Sequence, residues 1–152
     1  MRRILVLAAA LSLGVSGVAL AATAHQSKAD SGTAWVGVTH QEGGFNYVSG
    51  DIKDKLLGRG AIVYLTTVRV TDQPGSLLVD AKKITLYTPK GTLVGKGHAT
   101  TTTAADGTTT VHDGKFNLTR GTAKLKGHSL KGTFSGTYAD GVYTFTYKGT
   151  YR

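Results

Sequence analysis

The chain contains no cysteine, one glutamate and no stretch with a convincing helical period. Without cysteine there is no disulfide, and no lipid-modified cysteine to anchor the chain. Small secreted domains often depend on disulfide staples, so this fold must rest on its core. Scarcity of metal ligands has a similar consequence. A structural or catalytic metal would require several of His40, His98, His112 and His128 to converge, with or without aspartate. None of them sits at a tight H-x-x-x-H spacing, and no metal site is expected. His98 and His112 flank the turn at Asp106-Gly107 and read as a surface pair across a hairpin.

Catalytic signatures are absent too. There is no G-x-S-x-G elbow, and Ser135, between Phe134 and Gly136, reads as an ordinary strand serine. The segment 91–96 lacks the spacing, the Ser/Thr and the following helix of a phosphate loop. Glu42, Asp51 and Asp54 would supply paired carboxylates for acid–base work, but their places near strand ends suit turns and solvation. No catalytic residue and no cofactor is assigned.

The front end is distinctive. Met1-Arg2-Arg3 precedes an uncharged apolar run, Ile4 to Leu20, interrupted by Ser12, Gly14, Ser16 and Gly17. Small-residue sites follow at Ala19-Leu20-Ala21 and Ala22-Thr23-Ala24. This is the layout of a secretory signal peptide. Residues 1–24 are therefore read as a cleaved signal, leaving no membrane span and placing the protein outside the cell or in its envelope. Residues 25–32 are polar and aperiodic and read as a flexible leader. Residues 33–152 form one domain, large enough to bury a core without covalent help.

Positive charge is in excess, with 18 Lys+Arg against 9 Asp+Glu. The last third is the most basic, with Lys115, Arg120, Lys124, Lys126, Lys131, Lys148 and Arg152 against Asp140 alone. Such a surface attracts anionic partners, envelope polymers among them. It also serves solubility and keeps strand edges from pairing.

The domain itself is rich in Thr, Val, Tyr and Gly. Tyr143, Phe145, Tyr147 and Tyr151 fall on one face of a strand, with Thr144, Thr146, Lys148 and Thr150 on the other. That is the period of a half-buried strand. Leu130, Gly132, Phe134, Gly136 and Tyr138 repeat the pattern, and Asp140-Gly141 supplies the tight turn between the two. Upstream strands are read at 33–39, 45–53, 60–70, 77–87, 92–102 and 108–113, and residues 115–126 as a loop with a short turn. Eight hairpin-linked strands without helical crossovers predict an all-β fold, a single antiparallel eight-stranded barrel. A two-sheet sandwich is the rival, but it leaves edges that closure removes. The strand at 60–70 is apolar on both faces, which implies cover by a folded-over loop or by a second copy in a homo-oligomer.

A barrel of this size holds packed side chains or one small ligand. Its inward aromatic candidates are Tyr64, Tyr87, Phe134, Tyr138, Phe145 and Tyr147, which would line a small-ligand pocket or simply fill the barrel. Strict alternation of Tyr143, Phe145 and Tyr147 marks them as core rather than a base-stacking platform, so no nucleic-acid partner is expected. Trp35 reads as a core residue or a plug at the barrel end.

Several segments carry a family resemblance. Gly91-Thr92-Leu93-Val94-Gly95-Lys96-Gly97-His98-Ala99-Thr100, Gly121-Thr122-Ala123-Lys124-Leu125-Lys126-Gly127 and Tyr143-Thr144-Phe145-Thr146-Tyr147-Lys148-Gly149-Thr150-Tyr151 are similar to the allene oxide cyclase and dirigent-like barrel group. They resemble most its small secreted bacterial proteins of no assigned role. Tyr47 to Asp51 and Leu57 to Ala61 fit the same plan. The resemblance implies an eight-stranded barrel, often oligomeric, with a cavity for an apolar or phenolic molecule. Cyclase- or dirigent-like enzyme activity is an alternative reading, and no functional residue of the group is carried onto this sequence.

Overall fold

A computed structural model describes residues 26–152; the signal-peptide assignment, residues 1–24, lies outside them. Eight strands follow one another along the chain: β1 (Lys28–Glu42), β2 (Phe45–Asp54), β3 (Gly58–Val70), β4 (Ser76–Thr88), β5 (Gly91–Thr103), β6 (Thr109–Gly121), β7 (Leu130–Ala139) and β8 (Val142–Tyr151). Each pairs antiparallel with the next, and β1 pairs with β8 to close the barrel. Turn chemistry explains the tight hairpins. Gly43 and Gly44 both have positive φ, as do Asp140 and Gly141, the conformation a two-residue hairpin turn requires.

Two sequence boundaries need correction. The polar stretch expected to be a flexible leader enters β1, where Lys28 to Ser31 pair with Tyr151 to Lys148. Likewise 115–126 is not mainly loop. Strand β6 runs from Thr109 to Gly121, and only the 3-10 turn at Ala123–Leu125 matches the expected short turn. A bulge hides this strand. Register shifts between Val111 and Gly114, and Asp113 has φ 53°. The extra residue moves the inward phase from Val111 to Gly114 and Phe116, so simple alternation breaks.

The two ends of the barrel differ. At the end holding the chain termini, Leu57, Leu86, Leu93, Leu125 and Leu130 are almost wholly buried. Leu125 comes from the β6–β7 connection, which lies over this end, held by hydrogen bonds from Thr122 N to Thr92 O and Lys124 N to Lys90 O, each 3.0 Å. Leu57 follows the β2–β3 turn, where Asp54 Oδ1 accepts from the backbone of Leu56 (2.8 Å) and Leu57 (2.6 Å). A carboxylate accepting from its own turn is a common device for fixing such a bend. Leucines thus stopper this end, while the opposite end carries the two-residue turns at 43–44 and 140–141 and the loops at 71–75 and 104–108.

Outward residues depart from the sequence reading in places. Ala34 and Val36 are buried inside, so Trp35 faces out and is 42% exposed rather than in the core. On β3, Ala61 and Val63 face solvent, and Val63 is 42% exposed. No loop folds over them among the described residues.

Candidate functional site

The interior is apolar but not full. It contains a cavity of about 170 Å³. Ile52, Leu86, Leu118 and Leu130 floor it, and Val38, Asn46, Val68, Val79, Thr101 and Val111 lie toward the other end. Its walls are unequal. Ala34, Ala81, Gly97 and Ala99 line one part, while Phe116, Phe134, Tyr143, Phe145 and Tyr147 line another.

The space survives because aromatic rings lie back against the barrel wall. A Cβ on Gly114 would come within 2.7 Å of the Phe134 ring, and one on Gly136 within 2.7 Å of Phe145. The Tyr147 ring sits over Gly32 in the same way. Glycines beneath aromatic rings let a strongly coiled sheet accept large side chains without filling its centre. The rings then pack edge to face, Phe134 on Phe145 at 5.4 Å between centroids and Phe116 on Tyr147 at 5.7 Å, a favoured aromatic geometry.

Of the six aromatic residues expected to line a ligand site, Tyr64, Phe134, Phe145 and Tyr147 do so. Tyr87 does not. Its neighbour Leu86 points inward, so Tyr87 faces out and is 48% exposed. Tyr138 is also outside the lining; it sits at the hairpin end, 40% exposed, with its ring 4.5 Å from that of Tyr143. Tyr143 takes the place expected for Tyr138. It belonged to the same alternating set as Phe145 and Tyr147, and that period was the signal for it.

Polar groups are few in the cavity. Tyr64 and Tyr143 are the notable ones, because neither hydroxyl has a hydrogen-bond partner among the described residues. Burial raises the Tyr64 phenol well above its ordinary range, and Tyr143 adds to the effect. Tyr143 is raised by burial and then by Tyr138. Both therefore stay protonated at neutral pH and keep an O–H to donate.

Beneath the cavity lies a buried acidic pair. Asp30 and Asp54 are each only 4% exposed. Tyr147, whose ring lines the cavity, donates its hydroxyl to Asp54 Oδ2 in a short hydrogen bond. Asp30 Oδ1 accepts from the Ser31 backbone at 2.8 Å, while Oδ2 is buried without a hydrogen-bond partner among the described residues. Burial, and then the charge of Asp54, push the Asp30 carboxyl up to about 6. Burial and Asp54 also push the Tyr147 phenol up. Glu42 and Asp51 are exposed, and Asp54 serves its turn as its place near a strand end suggested, without meeting either of them. Asp54 meets Asp30 instead. Asp30 was missed because it lay in the presumed leader, where no alternation marks a strand.

The histidines do not assemble. His98 pairs with Lys115 and His112 with Thr100, so the bulge between them sets them out of register. His112 is held by Thr102 Oγ1 at 2.9 Å and by Asp113 Oδ2 at 2.6 Å. Among the described residues no group of three metal-ligating side chains occurs. Comparison with protein-family models, with curated proteins and with solved structures finds no match.

Proposed function

We propose that this is a secreted binding protein whose barrel takes one small, mostly apolar molecule bearing a single hydrogen-bonding group, such as a monocyclic phenol. The observation that supports this most is the pair of unpartnered phenolic hydroxyls, Tyr64 and Tyr143, in a mostly carbon-lined cavity. Size agrees with the choice. A dry protein cavity of about 150 Å³ binds benzene, and this one is about 170 Å³. A single ring fits, and a long acyl chain does not.

The chemistry of the lining favours binding over turnover. The buried carboxyls Asp30 and Asp54 do not line the cavity, and Tyr147, which does, is committed to Asp54. The cyclase- or dirigent-like alternative needs an acid or base facing the ligand; this lining offers neutral phenols, Thr66, Thr101 and Asn46, and its one imidazole, His98, is exposed to solvent rather than enclosed with the aromatic rings. Secretion remains part of the proposal. Mass spectrometry of the exported protein should give an N-terminus at or near His25.

Calorimetric titration tests the pocket. A ligand of about eight heavy atoms should bind with a Kd of about 0.1–1 mM, within the efficiency of very small ligands. Tyr64→Phe should weaken 4-methylphenol about tenfold, the worth of one hydrogen bond in a buried site, and leave toluene unchanged. Equal loss for both ligands, or no heat with either, would refute the reading.

A further inference from the structure

A second surface stands apart from the cavity. The outer wall formed by β1, β8, β7 and β6 is a grid of hydroxyls and lysines. Cross-strand register fixes its rows. Ser31, Lys148, Thr133 and Lys115 lie side by side across four strands, and Thr33, Thr146 and Ser135 form the next row. Lys131 lies two residues from Thr133 on the same outward face. The wall carries a shallow groove bordered by Lys115, Lys148, Thr133, Ser135 and Thr146.

Charge on this wall is mostly positive. Lys115, Lys131 and Lys148 are exposed and make no ion pair among the described residues. One carboxylate, Asp113, borders the groove and hydrogen-bonds to His112, leaving three lysines against a single acid. Strands lie about 4.8 Å apart, so Lys148 and Lys115, two strands apart, sit about 10 Å from one another. Flexible lysine stems let each ammonium reach a separate anionic group along an extended chain.

We propose that this wall binds an extended, hydroxyl-bearing polyanion, an acidic glycan laid across β1, β8, β7 and β6. Positive charge supplies the attraction, and the Ser and Thr rows offer donors and acceptors to sugar hydroxyls. Phe134 and Tyr147 border the groove, but both rings belong to the interior cavity, so they do not form the exposed stacking platform that single-stranded nucleic acid uses. This surface is independent of the interior, and either can fail without the other.

The test is retention of the purified protein on immobilised polygalacturonate, with dextran and single-stranded DNA as parallel matrices. Retention on polygalacturonate should fall as salt rises, because the contacts are exposed charges. The triple variant Lys115→Gln/Lys131→Gln/Lys148→Gln should bind about tenfold more weakly, as expected for the loss of three exposed ion contacts. A control triple elsewhere, Lys55→Gln/Lys83→Gln/Lys124→Gln, removes equal charge and should bind nearly as wild type. All six lysines are exposed, so thermal midpoints should be unchanged. Equal losses in the two triples would reduce the effect to net charge and overturn the assignment. So would equal retention on dextran, tighter binding to DNA, or no retention on polygalacturonate.

Discussion

Tyr147 spans two environments. Its ring forms cavity wall, and its hydroxyl reaches the buried carboxyl of Asp54. Removing that hydroxyl takes one donor from a buried carboxylate. Tyr147→Phe should therefore destabilise the fold by about 1–3 kcal/mol in denaturant melts. Asp30 acts in the opposite sense. Its carboxyl is raised from 3.8 to about 6 by burial and by Asp54, so between those values the native state binds more protons than the unfolded chain. Stability contributed by Asp30 is full below 3.8 and is lost as pH rises through about 6. Thermal melts should fall across that window and level off above it. Asp30→Asn should flatten the slope and raise stability at neutral pH. A wild-type midpoint that rises through this window would contradict the buried pair. Asp106, held low by the Thr108 backbone N–H, acts oppositely and only at more acid pH. Residue by residue, the aromatic site was partly legible: four of the six expected residues line it, because strict alternation placed them. Asp30 was not legible, since nothing in a polar leader announces that its backbone will pair with the last strand.

At the scale of elements, legibility followed regularity. Strands β7 and β8 alternate without interruption, and their faces were read correctly from the sequence. Strand β6 was cut short because the bulge at His112–Asp113 shifts the phase of alternation halfway along. Strand β4 has a similar shift between Ala81 and Ile84, where Lys82 and Lys83 are both exposed, yet its apolar density kept it recognisable. The start of β1 was lost for another reason. Residues 28–31 are too polar to signal a strand, and they pair only because β8 needs a partner for closure. Hydrogen exchange checks this directly. Backbone amides that bond across β1 and β8 in residues 29–33 should exchange about as slowly as their β8 partners. Exchange at the rate of an unstructured peptide would return the segment to a leader.

Across the whole molecule, one asymmetry shapes the interior. A leucine stopper closes the end near the chain termini, and the aromatic rings of β7 and β8 lie back over glycines and leave room in the centre. The barrel class was evident from eight hairpin-linked segments; whether its interior was filled or open was not, because that depends on which way each ring turns against its neighbouring strand. Whether that chamber receives a ligand is read by residue-resolved NMR with added 4-methylphenol. Saturable shifts should appear at Tyr64, Ala81, Ala99 and Phe145 and leave the outward Trp35 and Tyr87 unmoved. Shifts confined to the outer surface, or growing linearly without saturation, would mean that no such chamber receives a ligand.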